Sequence, residues 1–173
     1  GELPAQASEL LRVAQQNSQQ LNLLINDLLD MEKLLVGKMR LDMQPHSLPP
    51  LLQQALLTLN PYAEQFAVTL QLEDHSQNCQ VNVDSQRLQQ VLANLLSNAI
   101  KFSPRGAPVS LAAALLGDHV RLSVTDQGPG IAPEFHAQIF HQFSQADASD
   151  AREKGGTGLG LAISKELIER MGG

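Results

Sequence analysis

From Leu10 to Leu35, the residues Leu10, Ala14, Asn17, Leu21, Leu24, Leu28, Met31 and Leu35 follow one another in alternating steps of four and three. That spacing is an a/d seam, and it predicts one long helix whose stripe another helix covers. Leu11, Ile25 and Leu29 widen the stripe toward the broader face used in helix bundles. Asn17 in a seam position costs stability and tends to set register. No second helix of similar length follows, so pairing with another chain is expected, the plainer alternative being packing against its own domain.

Beyond residue 42 the pattern changes. Prolines and turn residues punctuate Gln44-Pro45-His46 and Pro49-Pro50, and a helix is predicted from Pro50 to about Phe66. Residues 66–72 alternate like a strand, Val81 and Val83 suit a short second one, and Asp84 is placed to cap a helix running to about Lys101. Residues 108–116 and 119–125 read as strands joined by a turn at Gly117-Asp118. A short helix follows Pro133, Phe143 to Gly156 is polar and aperiodic, and a last helix runs from the glycines to Met171. Strands and helices mix without strict alternation, so the fold class is α/β, a two-layer sandwich. Apolar residues are 43% of the 173 but aromatics only 3%, so the core must be aliphatic.

Charge and cysteine content narrow the partners. A net charge of −6 argues against nucleic acid or an anionic membrane surface. It leaves room for a phosphate ligand, because backbone amides and a single lysine hold an anion locally. Cys79 is the one cysteine, which excludes an intrachain disulfide and suits a reducing cytoplasm. The leucine-rich stretch 21–29 is interrupted by Asn22, Asn26 and Asp27, so no membrane span is expected.

Three constellations carry chemistry. On the helix after Asp84, the residues Arg87, Gln90, Asn94, Asn98 and Lys101 share one polar stripe opposite Leu88, Val91, Leu92, Leu95 and Ala99. Amide oxygens suit a hard cation such as Mg²⁺, and the ammonium suits phosphate. Directly after the strand at 120–125 comes Asp126-Gln127-Gly128-Pro129-Gly130. A carboxylate there can accept from an exocyclic amine, and glycines let backbone approach a flat ring. The last helix opens on Gly155-Gly156-Thr157-Gly158-Leu159-Gly160. Amides at a helix N-terminus favour phosphate, yet Leu161 and Ala162 stand where a P-loop needs Lys and Ser/Thr.

In this order the constellations resemble sensor histidine kinases. Asn94 to Pro104 resembles their N box, Asp126-x-Gly128-x-Gly130 their G1 box, Phe140-x-x-Phe143 their F box and Gly156-Thr157-Gly158-Leu159-Gly160-Leu161 their G2 box. The resemblance spans residues 45–171, with residues 5–42 similar to the second helix of the family's dimerisation hairpin. It implies a Bergerat-type sandwich, a mixed sheet covered by helices on one face. The implied domains are 1–44, a partial hairpin with linker, and 45–173, a catalytic ATP-binding domain with further strands after Gly173. The family's roles would make Asn94 the Mg²⁺ ligand, with Asn98, Lys101 and Phe102 on the nucleotide. Asp126 would read adenine; Gly128, Gly130 and Ile131 would shape its pocket. Phe140, Phe143 and the G2 residues Gly156 to Leu161 would frame the phosphates beneath a lid from Phe143 to Gly156. That lid is similar to those of hybrid kinases in Phe143-Ser144-Gln145-Ala146-Asp147.

The implied cofactors are ATP or ADP with Mg²⁺. The implied partners are the protein's own dimerisation hairpin, a second subunit and a response-regulator receiver domain, with no nucleic acid or direct membrane contact. The family's acceptor motif, of Ser-His-Glu-x-Arg type, surrounds none of His46, His75, His119, His136 or His141. The acceptor is therefore expected outside these residues, in a longer protein whose soluble portion is cytoplasmic. The alternatives are an ATPase of the same superfamily, a serine kinase of the anti-sigma-factor type, and a degenerate kinase acting as a non-enzymatic interaction module.

Overall fold

The heptad segment forms α1, Ala5–Leu35, one uninterrupted helix. Gly37, at φ +67°, ends it, and the amides of Lys38 and Met39 return to the Lys33 carbonyl. Along α1, Leu10, Leu11, Leu21, Leu24, Ile25, Leu28 and Leu29 are exposed, whereas Met31 and Leu34 are buried. The computed structural model describes residues 4–144 and 156–173. The chain divides into two units, Gly1–Met39 and Arg40–Gly173.

The second unit runs β1 (Gln44–Ser47), α2 (Leu48–Gln65), β2 (Thr69–His75), β3 (Gln80–Val83), α3 (Ser85–Phe102), β4 (Pro108–Leu116), β5 (His119–Thr125), a 3-10 turn (Pro133–Phe135) and α4 (Gly160–Arg170). Three boundaries differ from the sequence reading. Gln44-Pro45-His46, expected as a turn, is strand β1; among the described residues it pairs with β3 alone, an edge position in which a proline is tolerated. The strand expected from residue 66 starts at Thr69, because Ala67 takes φ +53° and the Val68 amide returns to the Ala63 carbonyl, finishing α2. Helix α2 starts at Leu48 rather than Pro50, since Pro49 and Pro50 occupy the first turn, where amides have no helical partner.

The strands form two sheets. β1 and β3 make an antiparallel pair, and β2-β4-β5 make a mixed sheet, parallel across β2–β4 and antiparallel across β4–β5. Val109, Leu111 and Ala113 point alternately from β4 into the core, where they meet Leu92, Leu96 and Ile100 of α3 and Leu52 and Ala55 of α2. This is the mixed sheet with a helical layer that the sequence implied. Fully burying each of these Val, Leu and Ile side chains contributes about 1.5–3 kcal/mol. Leu96, at 0% exposure, takes the core position expected of Leu95. Leu95 instead lines an apolar cavity of about 310 Å³ with Val81, Val83, Val120, Leu122 and Ile168. At the β4–β5 turn, His119 Nδ1 lies 2.6 Å from the Asp118 carboxylate, a hydrogen bond that holds Asp118 below the usual carboxylate range.

Candidate functional site

Helix α3 begins with a strong stop on its orphan amides: Asp84 accepts from the Arg87 amide at 3.1 Å through one oxygen and from the Asp42 amide at 3.0 Å through the other. Its buried face then fixes the roll of the helix. The polar stripe divides in two. Arg87 and Gln90 bond each other at 2.7 Å. One to three turns on, Asn94, Asn98 and Lys101 are all half-buried.

Asn94 meets α4 directly. Its Nδ2 donates to Ser164 Oγ at 2.9 Å, and a Cβ on Gly160 would overlap its carboxamide. Gly160 is therefore a glycine because an amide occupies the space of its side chain. Asn98, one turn further, makes no side-chain hydrogen bond among the described residues. The Lys101 ammonium lies 4.9 Å from the Phe102 ring centre and 3.4 Å from where a Gly156 Cβ would stand.

The loop after β5 closes on the same end of α3. Asp126 Oδ1 accepts from the Gly128 amide at 2.7 Å, which orients the carboxylate and leaves Oδ2 without a partner among the described residues. A Cβ on Gly128 would come 2.8 Å from that oxygen and 2.9 Å from the Phe102 carbonyl, so only glycine lets the loop sit there. Gly130 needs glycine for a different reason, its φ of +75°. Ile131 is exposed.

The glycine segment is held from both sides. The Phe143 amide donates to the Gly158 carbonyl at 2.9 Å, and a Gly158 Cβ would lie 2.9 Å from Phe143 Cα. Phe143 and Gly158 both adopt positive φ, +59° and +69°. That conformation is unusual for a bulky residue such as Phe143 and persists only where surroundings impose it. Thr157 Oγ1 accepts from the Leu159 amide at 3.1 Å, Leu159 is buried and Leu161 half-buried. Phe140 and Phe143 expose their rings, with the Lys165 ammonium 5.7 Å from the Phe140 centre. The lid expected from Phe143 to Gly156 lies largely outside the described residues, Asp147 and Gly155 included.

The structure thus brings Asn94, Lys101 and Phe102 of α3 together with Gly128, Gly156 and Gly160. It links Phe143 to Gly158, leaves the Asn98 side chain and Asp126 Oδ2 without a hydrogen-bond partner among the described residues, and sets the Ile131 carbonyl 2.8 Å from His136 Nε2. The last helix starts at Gly160, with Gly156 and Gly158 in the preceding turn rather than inside it. Sequence reasoning missed Ser164, the partner of Asn94. Its signal was its place four residues after Gly160, on the same helix face.

A carboxylate, an ammonium, two amides and close-packed glycines thus lie along α3 and at the start of α4. The chain belongs to the histidine kinase-, DNA gyrase B- and HSP90-like ATPase family, whose model matches residues 83–173. Within that family its relatives are sensor histidine kinases, and the chain carries their ATPase-type catalytic domain. The circadian input-output histidine kinase CikA of Synechococcus elongatus is 40% identical over 176 aligned positions, covering 100% of this chain and 23% of that protein. The sensor protein GacS of Pseudomonas syringae pv. syringae is 41% identical over 179, covering 99% and 20%. The chain therefore spans under a quarter of the length of these relatives. Full-length ShkA, solved in complex with AMPPNP, superimposes with a TM-score of 0.82 at 32% identity, over 99% of this chain and 35% of that one. No helix of the described residues is long and apolar enough to cross a membrane.

Proposed function

We propose that this chain binds ATP with Mg²⁺ and supplies the catalytic site from which a histidine kinase transfers the γ-phosphate to a histidine on its dimerisation hairpin. The observation that carries this reading is that one helix, α3, meets the glycine segment opening α4 through Asn94 and Lys101 and the Asp126–Gly128 turn through Phe102, with the nucleotide-bound ShkA as structural relative. Asp126 Oδ2 accepts from the adenine amine, and Gly128 and Gly130 admit the ring. Lys101 and the amides of residues 156–160 offset phosphate charge.

Among the described residues no three His, Cys, Asp or Glu side chains converge as a metal group. A cation here is held by amide oxygen, in this reading that of Asn94, with Asn98 on the nucleotide and the remaining ligands from phosphate and water. That donor set suits Mg²⁺, which when bound neutralises charge on the transferring phosphoryl group. The acceptor imidazole attacks the γ-phosphorus in line, the bond to the β–γ bridging oxygen breaks and ADP leaves. Catalysis is then mostly positioning, which is why an acceptor on a separate helix is sufficient. The exposed stripe of α1 is the surface that pairs with the hairpin's other helix and a second subunit, and the phosphohistidine is handed to a receiver domain.

Asp126→Ala tests the site by calorimetry. ATP and ADP should bind more weakly by about 1.5–3 kcal/mol, the worth of a hydrogen bond to a charged group. The gap to GTP should narrow, because the carboxylate also repels the guanine carbonyl. Unchanged ATP binding would remove the physical basis of the reading.

A further inference from the structure

We infer that Ser164 is a positioning residue: it sets the orientation of the Asn94 carboxamide and thereby decides which atom of Asn94 faces the start of α4. The inference rests on the proposed nucleotide site and adds a residue to it. Ser164 lies on the buried face of α4 beside Ala162, Ile163 and Leu167, at 6% exposure. A hydroxyl placed among apolar side chains is unfavourable unless it is hydrogen-bonded, so its presence asks for a partner. That partner is Asn94, seventy residues away in sequence, whose Nδ2 donates to it at 2.9 Å.

A carboxamide has two orientations of nearly equal shape, with oxygen and nitrogen exchanged. With the nitrogen bonded to Ser164, the oxygen is turned toward Gly160, the first residue of α4. Gly160 and Ser164 stand four apart on one helix face, so together they form a notch that the amide fills. The notch has two separate requirements. At Gly160 a Cβ would overlap the amide and push it out of the notch; at Ser164 a hydrogen-bonding atom must be present. An alanine at 164 satisfies packing but not orientation, which leaves the amide free to turn its nitrogen toward a cation that it cannot ligate. The same contact joins α3 to α4, so it links the oxygen that would hold the cation to the helix whose first amides would meet phosphate.

The test compares the unaltered chain with Ser164→Ala, Ser164→Thr, Asn94→Ala and the Ser164→Ala/Asn94→Ala pair. ADP affinity is measured by calorimetry with Mg²⁺ and with EDTA, and thermal unfolding is followed for each. Ser164→Ala should reduce the gain in affinity that Mg²⁺ provides by about tenfold, as for outer-shell partners of metal ligands. Binding in EDTA should barely change, Ser164→Thr should retain most of the gain, and Ser164→Ala should have no further effect once Asn94 is alanine. Equal losses with and without Asn94, or an unchanged Mg²⁺ gain, would overturn the inference. Absence of any Mg²⁺ gain in the unaltered chain would count against the nucleotide reading instead. The ligand-free protein still decides the contact, because the Asn94 side-chain amide signals in a ¹⁵N-labelled sample should shift in Ser164→Ala and stay in place in Ser164→Thr. No shift on Ser164→Ala would also overturn it.

Discussion

Gly158 and Gly130 offer a matched pair that separates backbone strain from close packing. Both take positive φ, +69° and +75°, so an alanine at either carries the left-handed penalty of about 1–2 kcal/mol. Both also share the small gain from a less flexible unfolded chain, which cancels in the comparison. They differ in their surroundings. A Cβ at Gly130 meets nothing within 4 Å, whereas one at Gly158 comes 2.9 Å from Phe143 Cα and 3.0 Å from its carbonyl carbon. Those are backbone atoms, and Phe143 is already tied to Gly158 by its amide, so the neighbour cannot yield by changing rotamer. Forced overpacking of this kind costs a further 1–3 kcal/mol or about that. Urea unfolding should therefore show Gly130→Ala losing about 1–2 kcal/mol and Gly158→Ala about 2–5 kcal/mol. Asparagine, which tolerates the left-handed region, should recover much of the loss at 130 but not at 158. Nucleotide affinity should fall more for Gly158→Ala, because the segment opening α4 must move. Equal losses at the two sites, or recovery by Gly158→Asn, would refute the close approach of Gly158 to Phe143.

Asp84→Ala should cost about 1–2 kcal/mol for the lost cap of α3, and about 1 more for the Asp42 amide left without its acceptor, read by chemical denaturation. Leu111→Ala should cost about 2–5 kcal/mol, since Leu111 is fully buried between the sheet and its helices, and the same unfolding curves would reveal a smaller value. Changing Leu24 and Leu28 to Glu should abolish self-association measured by sedimentation while leaving nucleotide binding intact; a strictly monomeric parent chain at high concentration would refute the role given to the α1 stripe.

Periodicity is local, and what is periodic was legible. The four-three seam of α1, the polar and apolar stripes of α3, the hairpin around Gly117-Asp118 and the Asp84 cap all follow from side-chain spacing and turn chemistry over a few residues. The glycines of residues 128–130 and 156–160 could be picked out because an ordered series of boxes is improbable without a site. The beginning of β2 was misread since nothing in Phe66-Ala67-Val68 announces that Ala67 turns left-handed to end α2. β1 was misread since a proline normally argues against a strand, and only its position at an edge permits it.

Long-range pairing was decided by the tertiary structure. β2 finds its parallel partner β4 across an intervening strand and a helix, and β1 and β3 separate into their own sheet, choices governed by which faces bury apolar area together. At the site, the sequence by itself determined the inventory: two asparagines, a lysine, an aspartate and the glycines. It could not say why each glycine is needed. Gly130 answers to its own dihedral angle, Gly128 to the Phe102 carbonyl, Gly158 to Phe143 and Gly160 to the Asn94 amide. The first is a property of one residue, while the others are distances between atoms that only the packed chain brings together. The role of Ser164 belongs to the same class, because a hydroxyl declares its partner only when two helices have been laid against each other.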